Sequence, residues 1–119
     1  MSFMLTPDQE ELVAAVGRIA DRFDAAYWRD KDATAEFPHE FAGAMAEGGW
    51  LGIAMPEEVG GAGLGVTEAA LMMERVAHSP GAMAAASSIH INIFGLHPVV
   101  VFGTPEQRQR FLPPLIAGE

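Results

Sequence analysis

The chain has 119 residues, room for one domain, with 16 Asp and Glu against 7 Lys and Arg and a formal charge of −9. So acidic a surface repels phosphate backbones and anionic lipid heads, which excludes nucleic acid and polybasic membrane docking as partners. Cysteine is absent, and with it go disulfide scaffolds, zinc thiolates, iron–sulfur clusters and thiol nucleophiles. Half of the residues are hydrophobic, enough for a packed core rather than disorder.

The first helix is announced by Thr6-Pro7-Asp8-Gln9: a capping hydroxyl, a proline at the first helical position, an acid and a Gln able to close a capping box. Leu12, Val16, Ile19 and Phe23 then recur at helical spacing on one face. From Asp24 to Asp32 the periodicity is lost, so the helix is expected to run on exposed or to fray there. A second helix is predicted over Pro38 to Glu47, with Phe41, Ala44 and Met45 on one face and Gly48-Gly49 as its stop. The apolar turn Trp50 to Met55 and a glycine-rich loop from Pro56 to Gly65 follow. A third helix is predicted over Val66 to Ala77, facing inward through Ala70, Met73 and Ala77, until Ser79-Pro80-Gly81 breaks it.

No Asp, Glu, Lys or Arg occurs between Val76 and Pro105. Pro80, Ser87, Ser88, His90, Asn92, His97 and Pro98 interrupt that stretch, so a clean membrane span is not expected. The fourth helix, Gly81 to Phe94, is apolar all round and predicted to be central, buried on nearly all sides. Pro98 to Phe102 is a short element that periodicity alone leaves open between helix and strand. Thr104-Pro105-Glu106-Gln107 starts the last helix, with Phe111, Leu112, Leu115 and Ile116 as its contacts, and Pro113-Pro114 is expected to kink or break it. The expectation is an all-α fold, a compact domain of about six helices over residues 1–119. Asp8, Glu10 and Glu11 come too early for a signal peptide, so a cytoplasmic protein is expected.

Three features invite a chemical reading. Gly61-x-Gly63-x-Gly65 ahead of a helix suggests a phosphate cradle, but it lacks GxGxxG spacing, a preceding strand and a following lysine. A structural loop with positive φ angles is the expectation. Of His39, His78, His90 and His97, only His90 and His97 could share a face, Gly95 and Pro98 argue for a break between them, and no carboxylate lies near that pair, so no metal site is expected and burial with a local hydrogen bond is. Ser87 and Ser88 lie near His90, yet no acid occurs in that segment to orient an imidazole, and back-bonding to the preceding turn is expected instead.

Three blocks together resemble the acyl-CoA dehydrogenase family. They are Leu5-Thr6-Pro7-Asp8-Gln9-Glu10-Glu11-Leu12, the run Gly52-Ile53-Ala54-Met55-Pro56-Glu57-Glu58-Val59-Gly60-Gly61-Ala62-Gly63, and Gly103-Thr104-Pro105-Glu106-Gln107 with its following Leu112-Pro113. Order and spacing agree over essentially the whole chain. The resemblance implies the all-helical N-terminal domain of an FAD-dependent enzyme, in which a proton leaves the carbon α to a thioester carbonyl while a hydride passes from the β carbon to the flavin. In that family a β-domain and a C-terminal helical bundle follow and carry most flavin contacts, the glutamate base and the tetramer core. No catalytic, cofactor or metal residue is therefore assigned within residues 1–119. The resemblance further implies an acyl-CoA substrate, an electron-transfer partner and self-association. It places His90, Ile91, Phe94 and Gly95 on one wall of the acyl pocket. A non-catalytic helical module that binds an acyl chain or lipid, or docks a protein partner, is the alternative.

Overall fold

A computed structural model describes residues 4–119; residues 1–3 of the expected domain lie outside that span. The described residues form seven α-helices and no strand: α1 (Pro7–Ala20), α2 (Ala25–Thr34), α3 (His39–Glu47), α4 (Val66–Ala77), α5 (Ala82–Phe94), α6 (His97–Phe102) and α7 (Pro105–Ile116). Two single 3-10 turns, Trp50–Gly52 and Glu57–Val59, bracket the apolar segment between α3 and α4.

Local chemistry sets the helix starts. Thr6 Oγ1 accepts from the Gln9 amide at 3.2 Å while Gln9 Oε1 accepts from the Thr6 amide at 3.0 Å, closing the box that opens α1. Thr104 and Gln107 repeat the exchange at 3.2 and 2.9 Å ahead of α7.

Residues 24–32 are a helix in their own right rather than an exposed tail of α1. Asp24 accepts from the Tyr27 amide at 2.9 Å, and Trp28 is the one buried side chain of α2. Its indole donates to the Phe23 carbonyl at 3.1 Å and meets Tyr27 and Phe41 edge-on, with ring centroids 5.1 and 5.2 Å apart. One anchor leaves no periodicity to read; the capping Asp24 was the available signal.

α4 lies between α1 and α5. It buries Ala69, Met72 and Val76, one position round from the expected Ala70, Met73 and Ala77. Apolar residues cover a wide arc of this helix, and the two flanking helices decide which part is covered.

The reading of α5 as buried nearly all round is corrected by the structure. Ala85, Ala86, Ile89 and Ile93 are buried, whereas Met83 and Ile91 are 70 and 72% exposed. The 21-residue stretch Ala82–Phe102 is long and apolar enough to cross a membrane by length and composition, with a mean hydropathy of 1.4 over an 18-residue window of which 22% is buried. In the fold Ala85 and Ile89 are sealed in the domain core. The helix is also interrupted at Leu96, where φ is −98° and ψ 15°.

α6 is helical. Its valines favour strands, yet none of the described residues forms a strand with which they could pair, and the Val100 and Gly103 amides bond back to Leu96 and Val99 carbonyls. Pro113 and Pro114 do not break α7, which runs on to Ile116. A proline there deprives the carbonyls of Gln109 and Arg110 of an intrahelical donor, and both residues are exposed. Buried Leu112 and Ile116 hold the helix on both sides of the pair.

The result is a slab, 43 × 40 × 19 Å. Its buried side chains fall into two clusters. The larger joins α1 to α5; the smaller gathers Met55, Val59, Leu112 and Ile116 under α6 and α7.

Candidate functional site

Met83, Ser87, His90 and Phe94 follow one another at spacings of four, three and four along one flank of α5, exposed as far as His90 and half-buried against the core at Phe94. The His90 and Phe94 rings touch, with centroids 5.5 Å apart and planes inclined at 51°. They border two different hollows. Phe94 lines a cavity of about 520 Å³ together with Ala54, Leu64, Val66, Ile93 and His97. His90 lines a smaller one of about 190 Å³ with Met73, Met83, Ala86 and Ser87.

The four residues assigned to the wall from the sequence therefore divide. His90 and Phe94 share a face and make contact. Ile91 projects into solvent beside them and lines neither hollow. Gly95 is exposed at the helix end, where its amide donates to the Ile91 carbonyl at 2.7 Å and a Cβ would stand 2.5 Å from the same oxygen. A close backbone approach accounts for that glycine. Ser87, Met83 and Met73, which border the hollow beside His90, are not among those four.

The glycine loop is stitched to the 3-10 turn before it. Ala62, Gly63 and Leu64 amides donate to the carbonyls of Gly52, Met55 and Ile53 at 2.9, 2.8 and 3.0 Å, and Gly61 donates to Pro56 at 3.0 Å. Gly60 and Gly63 have φ of +94° and +66°, as a structural loop requires. A Cβ on Gly61 would stand 2.1 Å from the Met55 carbonyl oxygen. The start of α4 is filled as well, since Glu68 Oε2 accepts from the Gly65 amide at 3.1 Å. The Gln9 side-chain amide, which donates to Glu68 at 3.0 Å, is the main cause that holds this carboxyl below its ordinary value; its own amide and that of Gly65 add to it. From Gly60 to Gly65 every amide is thus committed to an acceptor within the domain.

All four histidines are exposed, which corrects the expectation of burial. His78 Nδ1 lies 3.0 Å from the Glu74 carbonyl, a local contact within α4's last turn. No group of three metal-binding side chains occurs among the described residues. Ser88 Oγ donates to the Ala85 carbonyl at 2.8 Å, as expected of a serine inside a helix.

Residues 6–119 match the family described as acyl-CoA dehydrogenase, N-terminal domain. The chain belongs to this family. Among curated relatives, a probable acyl-CoA dehydrogenase of Bacillus subtilis is 35% identical over 99% of this chain and 31% of its own length. The 3-(aryl)acrylate reductase of Clostridium sporogenes is 34% identical over 98% of this chain and 31% of its own. Isovaleryl-CoA dehydrogenase of Bos taurus is 32% identical over 97% and 27%. A solved chain from work on the electron transferring flavoprotein of Acidaminococcus fermentans superposes with a TM-score of 0.87 at 30% identity, over 99% of this chain and 31% of its own. The chain thus spans about a third of the length of the relatives it matches.

The acyl-CoA dehydrogenase family is FAD-dependent. The glycine loop of this N-terminal domain does not fit a flavin pyrophosphate, because its amides are committed to neighbouring carbonyls and to Glu68. What the domain offers is an apolar helix face with one imidazole and one hydroxyl set into it.

Proposed function

We propose that this chain is the N-terminal helical part of an FAD-dependent dehydrogenase that removes the α and β hydrogens of an acyl-CoA thioester, and that α5 supplies one wall of its acyl pocket. The observation that carries the reading is the partly open stripe on α5. Met83 and Phe94, with the His90 imidazole between them, border two hollows, in a domain whose relatives include acyl-CoA dehydrogenases. An acyl chain lying along it would gain about 0.8 kcal/mol for each methylene withdrawn from water. Phe94 would stop or steer the chain, His90 would stand beside it, Ile91 would flank the pair and Gly95 would close the helix. FAD contacts, the base that takes the α proton, and docking of an electron-transfer partner fall to the part of the relatives that these residues do not span.

The test is acyl-CoA-dependent bleaching of flavin absorbance in the intact protein that carries this chain, read over a series of chain lengths. Phe94→Ala opens the wall and is expected to move the preferred length upward, each extra methylene accommodated being worth about tenfold or more in kcat/KM. A protein that holds no flavin, or one whose flavin no acyl-CoA reduces, ends the dehydrogenase reading. An unchanged length profile in a folded Phe94→Ala variant removes α5 from the pocket.

A further inference from the structure

We propose that Ser87 and His90 form a polar notch in this wall that selects acyl chains carrying an oxygen acceptor, a hydroxyl, keto or carboxylate oxygen remote from the thioester. The proposal rests on reading α5 as an acyl wall and names the substrate class for it. Five residues line the small cavity: Met73, Met83, Ala86, Ser87 and His90. Three are apolar, and the two polar ones stand three positions apart on one helix face, where Cβ atoms are about 5–6 Å from each other. One oxygen between them can accept from both, since each hydrogen bond spans about 2.7–3.0 Å.

The two adjacent serines differ in their partners. Ser88, the next residue, satisfies its hydroxyl on the Ala85 carbonyl. The Ser87 hydroxyl and the His90 nitrogens have no hydrogen-bond partner among the described residues. His90 is braced on one side by the Phe94 ring, so the imidazole has a fixed neighbour while its nitrogens stay open. A plain alkyl chain laid over the pair would strip water from both groups and return nothing. An oxygenated chain replaces that water with two hydrogen bonds, while Met73, Met83 and Ala86 cover its methylenes. No carboxylate lines the cavity to repel an anionic chain end.

The experiment measures kcat/KM in the intact flavin-loaded protein for acyl-CoA pairs of increasing length, each alkyl thioester matched with its ω-hydroxy and ω-carboxy counterparts. At one length the oxygenated thioester is expected to exceed its alkyl partner by about tenfold, the net worth of a hydrogen bond exchanged with water. The hydroxy and carboxy arms distinguish a neutral from an anionic acceptor. Ser87→Ala and His90→Leu are each expected to bring that ratio towards one, and His90→Gln, which keeps a donor, to restore part of it. Both positions are exposed, so neither change removes core packing. Should His90→Leu fail to fold, Ser87→Ala decides the ratio. Good alkyl turnover with a ratio at or below one at every length overturns the notch and leaves the dehydrogenase reading standing. Equal losses on both members of each pair overturn it too, as the mark of a packing role. Absence of flavin reduction by any thioester overturns the dehydrogenase reading, and the notch falls with it.

Discussion

The Trp28 indole fills the space that a side chain at Gly81 would need: a Cβ there would stand 2.3 Å from the ring. The indole cannot step aside, being held by its hydrogen bond to the Phe23 carbonyl and by the edges of Tyr27 and Phe41. Gly81 has φ −78°, a conformation open to any residue, so it is required for room and not for backbone freedom. This contact is where α2, the least periodic helix, meets the start of α5.

Gly81→Ala is therefore expected to destabilise the protein by about 1–3 kcal/mol, the cost of overpacking a closed site. Chemical denaturation reads it directly. A variant within about 0.5 kcal/mol of the parent would show that the indole moves, contrary to its three restraints.

Ala35 ends α2 in the left-handed region, at φ 55° and ψ 34°. An L side chain there costs about 1–2 kcal/mol, while glycine sits in that region freely and costs up to about 1 kcal/mol through the unfolded chain. Ala35→Gly is expected to raise stability by up to about 1 kcal/mol, seen as a higher Tm. A lower Tm contradicts the cap geometry.

Glu68 and Glu40 both titrate below the ordinary carboxylate value of 4.5. For Glu68 the Gln9 side chain is the main cause; for Glu40 it is the residue's own amide in the first turn of α3, then the Tyr27 hydroxyl. A carboxyl depressed on folding contributes stability that is complete above its unfolded value and lost as pH falls through the folded one. Both contributions are thus present at neutral pH and fade below about 4.5. Glu68→Gln is expected to flatten that acid limb in a series of melts across pH. An acid limb as steep as the parent's would place the coupling elsewhere.

Phe102 is 86% exposed at the end of α6, continuous in the chain with exposed Val101 and followed by exposed Phe111 on α7. Apolar side chains left open at this density bind dye or one another. The 119-residue chain is expected to self-associate by light scattering and to take up a hydrophobic dye, and Phe102→Glu to lower both with little change in Tm. A monomeric parent that binds no dye would count against this, as would a variant that loses its fold.

The two capping boxes, at Thr6 and Thr104, were legible in the sequence because each is an exchange between residues three apart. The glycine loop was legible for a similar reason. Its positive φ angles and close approaches are met within a dozen residues, and the same motif carried the family resemblance. Other features depended on residues distant in the chain. α2 is held by Trp28 against Phe41 and Gly81 and by the Tyr27 hydroxyl on α3, and α4 turns Met72 rather than Met73 inward because α1 and α5 close on it from two sides. Similarly, α7 survives two prolines because Leu112 and Ile116 are anchored under α6 and the 3-10 turns.

For the site, periodicity could set His90 beside Phe94, four residues on. It could not bring Met73 of α4 to the cavity that Ser87 and His90 share, nor tell which side of an apolar helix stays open. Spacing along one helix is a property of the chain itself. Which side is covered depends on where other helices pack, and only the assembled tertiary structure decides that.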